Sequence, residues 1–334
     1  MKLVRTLFLV LIWSGSPATQ AQESVSLKFT LDWLIDGQQT PFFLTQGKGY
    51  FTQQRLNVTL DVGTGSAAAV QRVASGTYDM GYGDTSALIE YLSKNPAHVQ
   101  AVYLTQDATP AGIMTLKKNN ISSPKDLVGK TIGGPSFDAG RKLFPVFAKV
   151  QGIDPASVKW QTLQPGLNLT QLVRGQIDAA SGFPSFEFGR YEAVGVNADD
   201  LVMFNYKDYG VRIYGNAVLA NSKFLQEHPR AVAAFLLAYN RGLKETLADP
   251  EGALEYVRQR DPTINVATEL KRLRALIAII ATPNVRTSGL SEVDKGRMQR
   301  QAEDVARAFG LERVPEADQI FNPRFLPPRS ERML

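Results

Sequence analysis

The chain has 334 residues, 44% of them apolar, and a formal net charge of +5. That length accommodates about two domains of roughly 150 residues, and the interspersed charges of both signs exclude the basic stripe of a nucleic-acid-binding protein. With no cysteine anywhere, disulfides, thiolate metal sites and a thiol-linked lipid anchor are excluded as well.

Lys2 and Arg5 precede an apolar run at residues 7–13, which Ser14, Gly15, Ser16 and Pro17 end. Small residues then lead to Ala18-Thr19-Gln20-Ala21, the layout of a secretory signal. The run falls well short of the roughly 18 apolar residues a membrane anchor needs. Cleavage is expected after Ala21, which leaves residues 1–21 outside the fold.

Residues 27–31 alternate as a strand, 41–50 read as a helix closed by Gly47 and Gly49, and 57–62 form a second strand. A helix over 67–74 stops at Gly76, a short strand covers 78–82, and Asp84 and Thr85 open a helix over 86–92. Strand and helix alternate, so an α/β fold is predicted, with a mostly parallel sheet flanked by helices. The same grammar returns at 131–133, 141–150, 158–163, 169–174, 177–181 and 185–194, a second α/β lobe. No internal repeat is visible in the residues. Long amphipathic helices follow at 229–247, 250–260, 267–280 and 292–309, before a tail with Pro323, Pro327 and Pro328.

The strand-like segment 217–220 can rejoin the first sheet. The chain then crosses between lobes twice, near 111–116 and near 211–216. The expected division is a first lobe of residues 22–112 and 214–334, carrying the C-terminal helices, and a second lobe of 113–213. Two crossings make a hinge, which suits capture of a ligand by closure.

Ligands of open α/β sheets sit beyond the carboxyl ends of the strands. In the first lobe this selects Asp32 and Trp33, Gly65 and Ser66, and Asp84 and Thr85, with Gln39 in the loop after the first strand. In the second lobe it selects Ser136, Phe137, Asp138, Arg141, Phe183 and Glu187, with Tyr209 added from the end of that lobe. Trp33, Phe137, Phe183 and Tyr209 can enclose a flat ring while Asp32, Asp84, Asp138 and Glu187 accept hydrogen bonds from it. Core packing suits Phe183 as well as ligand contact does, and suits Tyr209 better. Helix N-termini at Ser66, Thr85 and Phe137, with Arg141, instead suit an anion such as a sulfonate. Four acidic residues around one cleft weigh against that, and Arg141 reads slightly better as a solvated helix residue paired with a local carboxylate.

Other residues read as architecture. Gly76 and Gly175 end helices, and the following Asp79 and Asp178 are placed to satisfy backbone donors. Asp126 suits a cap or turn. The two histidines, His98 and His228, lie away from the expected cleft, which excludes a Ser-His-Asp triad and a histidine metal site.

Several segments together resemble the NMT1/THI5-like and taurine/sulfonate-type family of ABC solute-binding proteins. They are Leu31-Asp32-Trp33, Gly47-Lys48-Gly49-Tyr50-Phe51, Gly63-Thr64-Gly65-Ser66, Ser75-Gly76-Thr77-Tyr78-Asp79-Met80-Gly81, the run from Ile121 to Gly133, Arg174-Gly175-Gln176-Ile177-Asp178-Ala179 and Asp208-Tyr209-Gly210-Val211. The resemblance implies a two-lobed periplasmic-binding-protein fold of type II. It also implies a periplasmic location, a small-molecule ligand, and an ABC permease with its ATPase as partners. Ser181-Gly182-Phe183-Pro184-Ser185-Phe186-Glu187 is similar to binders of thiamine-pyrimidine precursors. Those relatives continue Pro-Asn-x-x-His after the Asp-Trp pair, whereas this chain has Leu34-Ile35-Asp36-Gly37-Gln38-Gln39. The yeast-type thiamine-pyrimidine synthase shares the fold and implies a pyridoxal-phosphate lysine, a nearby histidine and a cysteine-rich motif. Here the corresponding stretch is Tyr82-Gly83-Asp84-Thr85-Ser86-Ala87, so neither a cofactor nor catalysis is expected.

Overall fold

A computed structural model describes residues 24–164 and 166–334; the signal segment and its cleavage site lie outside the described residues. Among the described residues ten strands form two five-stranded sheets. The first is built from β1 (Val25–Thr30), β2 (Leu56–Asp61), β3 (Met80–Asp84), β4 (Val99–Leu104) and β10 (Asn216–Asn221), in the order β2-β1-β3-β10-β4. The second is built from β5 (Gly112–Leu116), β6 (Thr131–Gly134), β7 (Lys159–Thr162), β8 (Ala179–Gly182) and β9 (Leu201–Asn205), in the order β7-β6-β8-β5-β9.

In both sheets the fourth strand, β10 or β5, runs antiparallel to its two neighbours. The lobes are therefore one topology used twice, a repeat the residues conceal. One device recurs in both. Asp79 Oδ2 accepts from Lys28 N at 2.8 Å, and Asp178 Oδ2 accepts from Thr131 N at 2.7 Å. Each carboxylate follows a left-handed glycine, Gly76 at φ 77° and Gly175 at φ 69°, that ends a helix and turns the chain toward its strand. Asp126 caps its short turn by accepting from Ser122 N and Ser123 N, at 3.0 and 2.8 Å.

In the first lobe the helices are α1 (Thr40–Gly47), α2 (Tyr50–Gln53), α3 (Ser66–Ala74) and α4 (Thr85–Lys94). The second contributes α5 (Ala139–Lys142), α6 (Phe144–Gln151), α7 (Asn168–Val173) and α8 (Phe188–Ala193). The helix expected over 141–150 is two helices, because the chain turns at Leu143 and Pro145 restarts it within the first turn of α6. Beyond β10 come α9 (Ser222–Glu227), α10 (Pro229–Ala248), α11 (Pro250–Arg260), α12 (Val266–Ile280), α13 (Pro283–Ser288) and α14 (Lys295–Phe309). The buried face of α10 stacks Phe235 on Phe29 of β1 and Tyr239 on Phe42 of α1, with ring centroids 5.0 and 4.6 Å apart. The C-terminal helices thereby complete the first lobe's core.

The first crossing runs through residues 105–111, ahead of the expected 111–116, because 112–116 already pair as β5. The second runs through 210–215. The two segments are cross-bonded, Thr109 N to Ile213 O at 2.8 Å and Gly215 N to Gln106 O at 3.0 Å. Arg297 of α14 braces them from outside. Its Nη1 donates to Asp107 Oδ1 at 2.8 Å, its Nε donates to Arg212 O at 3.3 Å, and its guanidinium lies 3.7 Å from the Tyr214 ring centroid.

The shared carboxylate device generates a stability test. Asp178→Ala leaves Thr131 N–H without its acceptor and is expected to cost about 1–3 kcal/mol, read as a lower urea midpoint with an unchanged slope.

Candidate functional site

At the carboxyl edge of the first sheet the loops after β1 and β2 are tied together. Gly65 N donates to Asp32 O at 2.7 Å and Gly63 N donates to Trp33 O at 3.0 Å. A Cβ on Gly63 would stand 2.1 Å from Leu31 O, so only glycine permits this approach. The tie presents the Trp33 indole at the rim, 42% exposed, and turns the Asp32 carboxylate inward.

Asp32 Oδ2 accepts from Asn216 Nδ2 at 2.6 Å, and Oδ1 accepts from Gln39 Nε2 at 3.2 Å. Burial pushes its pKa up to about 6, against the lowering effect of those two amides, and Asp84 nearby adds to the rise. Asp84 caps α4, accepting from Ser86 N at 2.7 Å, and burial raises its pKa too. Gln39 is buried, and its Oε1 makes no hydrogen bond. This edge thus gathers acceptors: two carboxylates and an amide oxygen, with neutral amides as the partners of Asp32.

Asp36 caps the short turn at Gly37–Gln39 by accepting from Gln38 N at 2.8 Å. Burial pushes its pKa up to about 7, although Arg272 lies 3.8 Å away. Arg272 of α12 pairs with Glu269 at 2.6 Å and donates through Nε to Phe186 O of the second lobe at 2.9 Å. Lys142 of α5 reaches Glu90 of α4 at 2.5 Å, a second bridge between lobes.

On the second lobe Ser136 and Phe137 follow β6, and Phe137 is 71% exposed. Asp138 caps α5 by accepting from Arg141 N at 2.9 Å, and burial raises its pKa. The Arg141 guanidinium turns back onto its own lobe, donating to Thr162 Oγ1 at 3.0 Å and Gly134 O at 3.3 Å, 4.9 Å from the Trp160 ring centroid. Phe183 is half-buried, edge-on to Phe186 at 6.3 Å and packed against both major cores. Glu187 is half-buried, one residue after the turn Pro184–Phe186.

Two sequence candidates have side chains committed elsewhere. Thr85 is fully buried; its hydroxyl donates to Tyr214 O at 2.9 Å and accepts from Gln301 Nε2 at 2.7 Å. Tyr209 packs edge-on against Phe147 and Phe204, with centroids 5.8 and 5.7 Å away. Asp32, Trp33, Gln39, Gly65 and Asp84 come together in the first lobe, with Ser66 opening α3 beside them. Ser136, Phe137, Asp138 and Arg141 form a contiguous group in the second.

Asn216 was missed. Because β10 is antiparallel, its first residue lies at the same edge as the carboxyl ends of β1 and β3, opposite Asp84 in register. A search of strand ends alone passes over it.

The family described as NMT1/THI5 like matches residues 36–253. The chain belongs to that family. It is 24% identical over 292 residues to the formylaminopyrimidine-binding protein of Halalkalibacterium halodurans, covering 85% of this chain and 87% of that one. It is 26% identical over 249 residues to the 4-amino-5-hydroxymethyl-2-methylpyrimidine phosphate synthase of Legionella pneumophila, covering 73% of this chain and 77% of that one. Its relatives thus carry names of binders and of enzymes alike. The periplasmic aliphatic sulphonate binding protein SsuA from Escherichia coli superposes with a TM-score of 0.72 at 11% identity, over 90% of this chain and 97% of that one. That likeness is one of fold: the chain has the two-lobed periplasmic-binding-protein architecture. No helix among the described residues is long and apolar enough to cross a membrane.

The carboxyls of Asp32 and Asp36 hold protons more tightly when folded, at about 6 and about 7 against 3.8. Their contribution to stability is therefore full below pH 4 and lost as pH rises through 6 to 7. Asp32→Asn is expected to gain in Tm relative to the parent between pH 5 and pH 8; a gap that stays constant would mean Asp32 does not titrate there.

Proposed function

We propose that this chain is the periplasmic solute-binding component of an ABC importer, gripping a nitrogen-rich ring of the pyrimidine type between its lobes and catalysing nothing. The observation that carries this reading is the half-buried Asp32 carboxylate beside the buried Asp84 and the orphaned Gln39 Oε1, with amide donors as its side-chain partners. Buried acceptors without a cation favour a ligand that brings N–H groups. The exposed Trp33 face beside them suits the flat ring that would carry those groups.

In this mechanism the ligand lies against Trp33 and hydrogen-bonds Asp32 and Asp84 on the first lobe. Rotation about residues 105–111 and 210–215 brings Phe137 and Glu187 of the second lobe onto its other side. Preference of the ligand for the closed form drives the shift, and the closed surface is what the permease would read. The name of the H. halodurans relative supports the ligand class.

A sulfonate is less well served. The Arg141 guanidinium is engaged by Gly134, Thr162 and Trp160, and the starts of α4 and α5 already direct amides to Asp84 and Asp138. The synthase reading is not supported either. A pyridoxal-phosphate site needs a lysine amine for its Schiff base, and the residues gathered at the first lobe's edge are Asp32, Trp33, Gln39, Gly65, Asp84 and Asn216. Pyridoxal phosphate is expected to produce no new absorbance band with the purified protein.

Calorimetric titration with aminopyrimidines, flavins, taurine and alkanesulfonates tests the ligand class. Binding of an aminopyrimidine or flavin is expected, and binding of the sulfonates alone would overturn it. Trp33→Ala is expected to weaken that binding at least tenfold, about 1.4 kcal/mol; unchanged affinity would remove the indole from the site.

A further inference from the structure

The bonds around Asn216 run in two directions. Its side chain, buried at 7% exposure, donates to Asp32 Oδ2 at 2.6 Å, the shorter of the two amide bonds to that carboxylate. Its backbone belongs to the pivot: N donates to Gln106 Oε1 at 3.1 Å, and O accepts from Thr105 N and Gln106 N, both at 3.0 Å. Gln106 is itself buried in the first crossing, and its Nε2 donates to Tyr82 OH at 3.4 Å. A single residue therefore touches both the candidate ligand carboxylate and the hinge.

We propose that Asn216 is a positioning residue that orients Asp32 for the solute and couples occupation of that carboxylate to the Gln106 side of the pivot. The inference rests on the binding role proposed above for Asp32. A solute donating to Asp32 competes with, or tightens, the Asn216 bond. Either change would be felt at Gln106, because the amide and the backbone N–H belong to one buried residue at the start of β10, bonded at both ends. On the far side, Arg297 holds Asp107 and Arg212 together, so the Asn216 side is where the crossings can yield.

The ionisable groups facing Asp32 are Asp84 at the end of β3, Asp36 in the same loop, and the phenols of Tyr82 and Tyr239, which burial keeps neutral. With acidic neighbours only, the carboxylate relies on Asn216 and Gln39 to stay charged. Loss of the Asn216 amide should raise the pH at which Asp32 takes up its proton.

The test titrates Asp32 by carboxyl-carbon NMR in the ligand-free protein, with Asp32→Asn assigning the signal, in the parent, Asn216→Ala and Asn216→Asp. The midpoint is expected to rise by about one pH unit or more in Asn216→Ala and further in Asn216→Asp, which keeps the shape but faces Asp32 with a second carboxylate. An unmoved midpoint would overturn the inference whatever the protein binds, and Asn216→Asp serves should Asn216→Ala not fold. With 4-amino-5-hydroxymethyl-2-methylpyrimidine as probe, parent affinity is expected to fall below about pH 6, and that fall should begin at higher pH in Asn216→Ala. A uniform loss at every pH would reduce Asn216 to a structural part. Gln106→Met should leave the midpoint in place yet at least halve the probe-induced decrease in scattering radius; full compaction would sever the link to the pivot. A parent that binds no member of the ligand panel would defeat the proposed function, while the ligand-free titration would still decide the Asp32–Asn216 bond.

Discussion

Each sheet takes its fourth strand from the segment that has just crossed from the other lobe, and that strand has to run antiparallel. The rest follows from this constraint. The strand before one crossing pairs with the strand after the other, β4 with β10 and β9 with β5, so the two crossings enter and leave side by side. Side by side, they bond to each other between Thr109 and Ile213 and between Gln106 and Gly215, and the pivot has two stranded supports. The reversed direction also delivers the first residue of β10 to the edge where β1 and β3 end. The crossings and the candidate ligand edge are neighbours because the topology leaves no other arrangement.

The electrostatics of the edge depend on the same placement. Asp32 lies where burial opposes its charge, and Asn216 and Gln39 are the groups that oppose burial. Two amides compensate less than a guanidinium would. The carboxylate is therefore held at a pKa raised to about 6, where any donor that arrives favours its charged form. Asp36 rises further because burial outweighs Arg272, and Glu269, which shares that cation, adds to the rise.

Much of this was legible in the residues. The alternation of strand and helix through both lobes, the return of 217–220 to the first sheet and the helix Pro250–Arg260 follow from periodicity and from Pro and Gly punctuation. Asp79 and Asp178 could be read as backbone acceptors from their position between a helix-ending glycine and a strand. What stayed hidden was non-local. The duplicated topology left the carboxylate device but little other residue likeness to betray it. In the site, Asp32 and Trp33 were accessible to a rule about strand ends, whereas Asn216 needed the direction of β10, which is a fact about pairing. Thr85 sits at a strand end yet spends its hydroxyl on Tyr214 and Gln301, a partnership across 216 residues that no local pattern announces.

The guanidinium of Arg297, laid on the Tyr214 ring and bonded to both crossings, acts as a bolt through the pivot. A joint pinned on one flank turns about a single axis and resists twist and shear. The jaws of this protein would then meet in one register each time. On the proposed binding role, the shape offered to whatever docks on the closed molecule would be set by Arg297, in a helix that carries none of the candidate ligand residues.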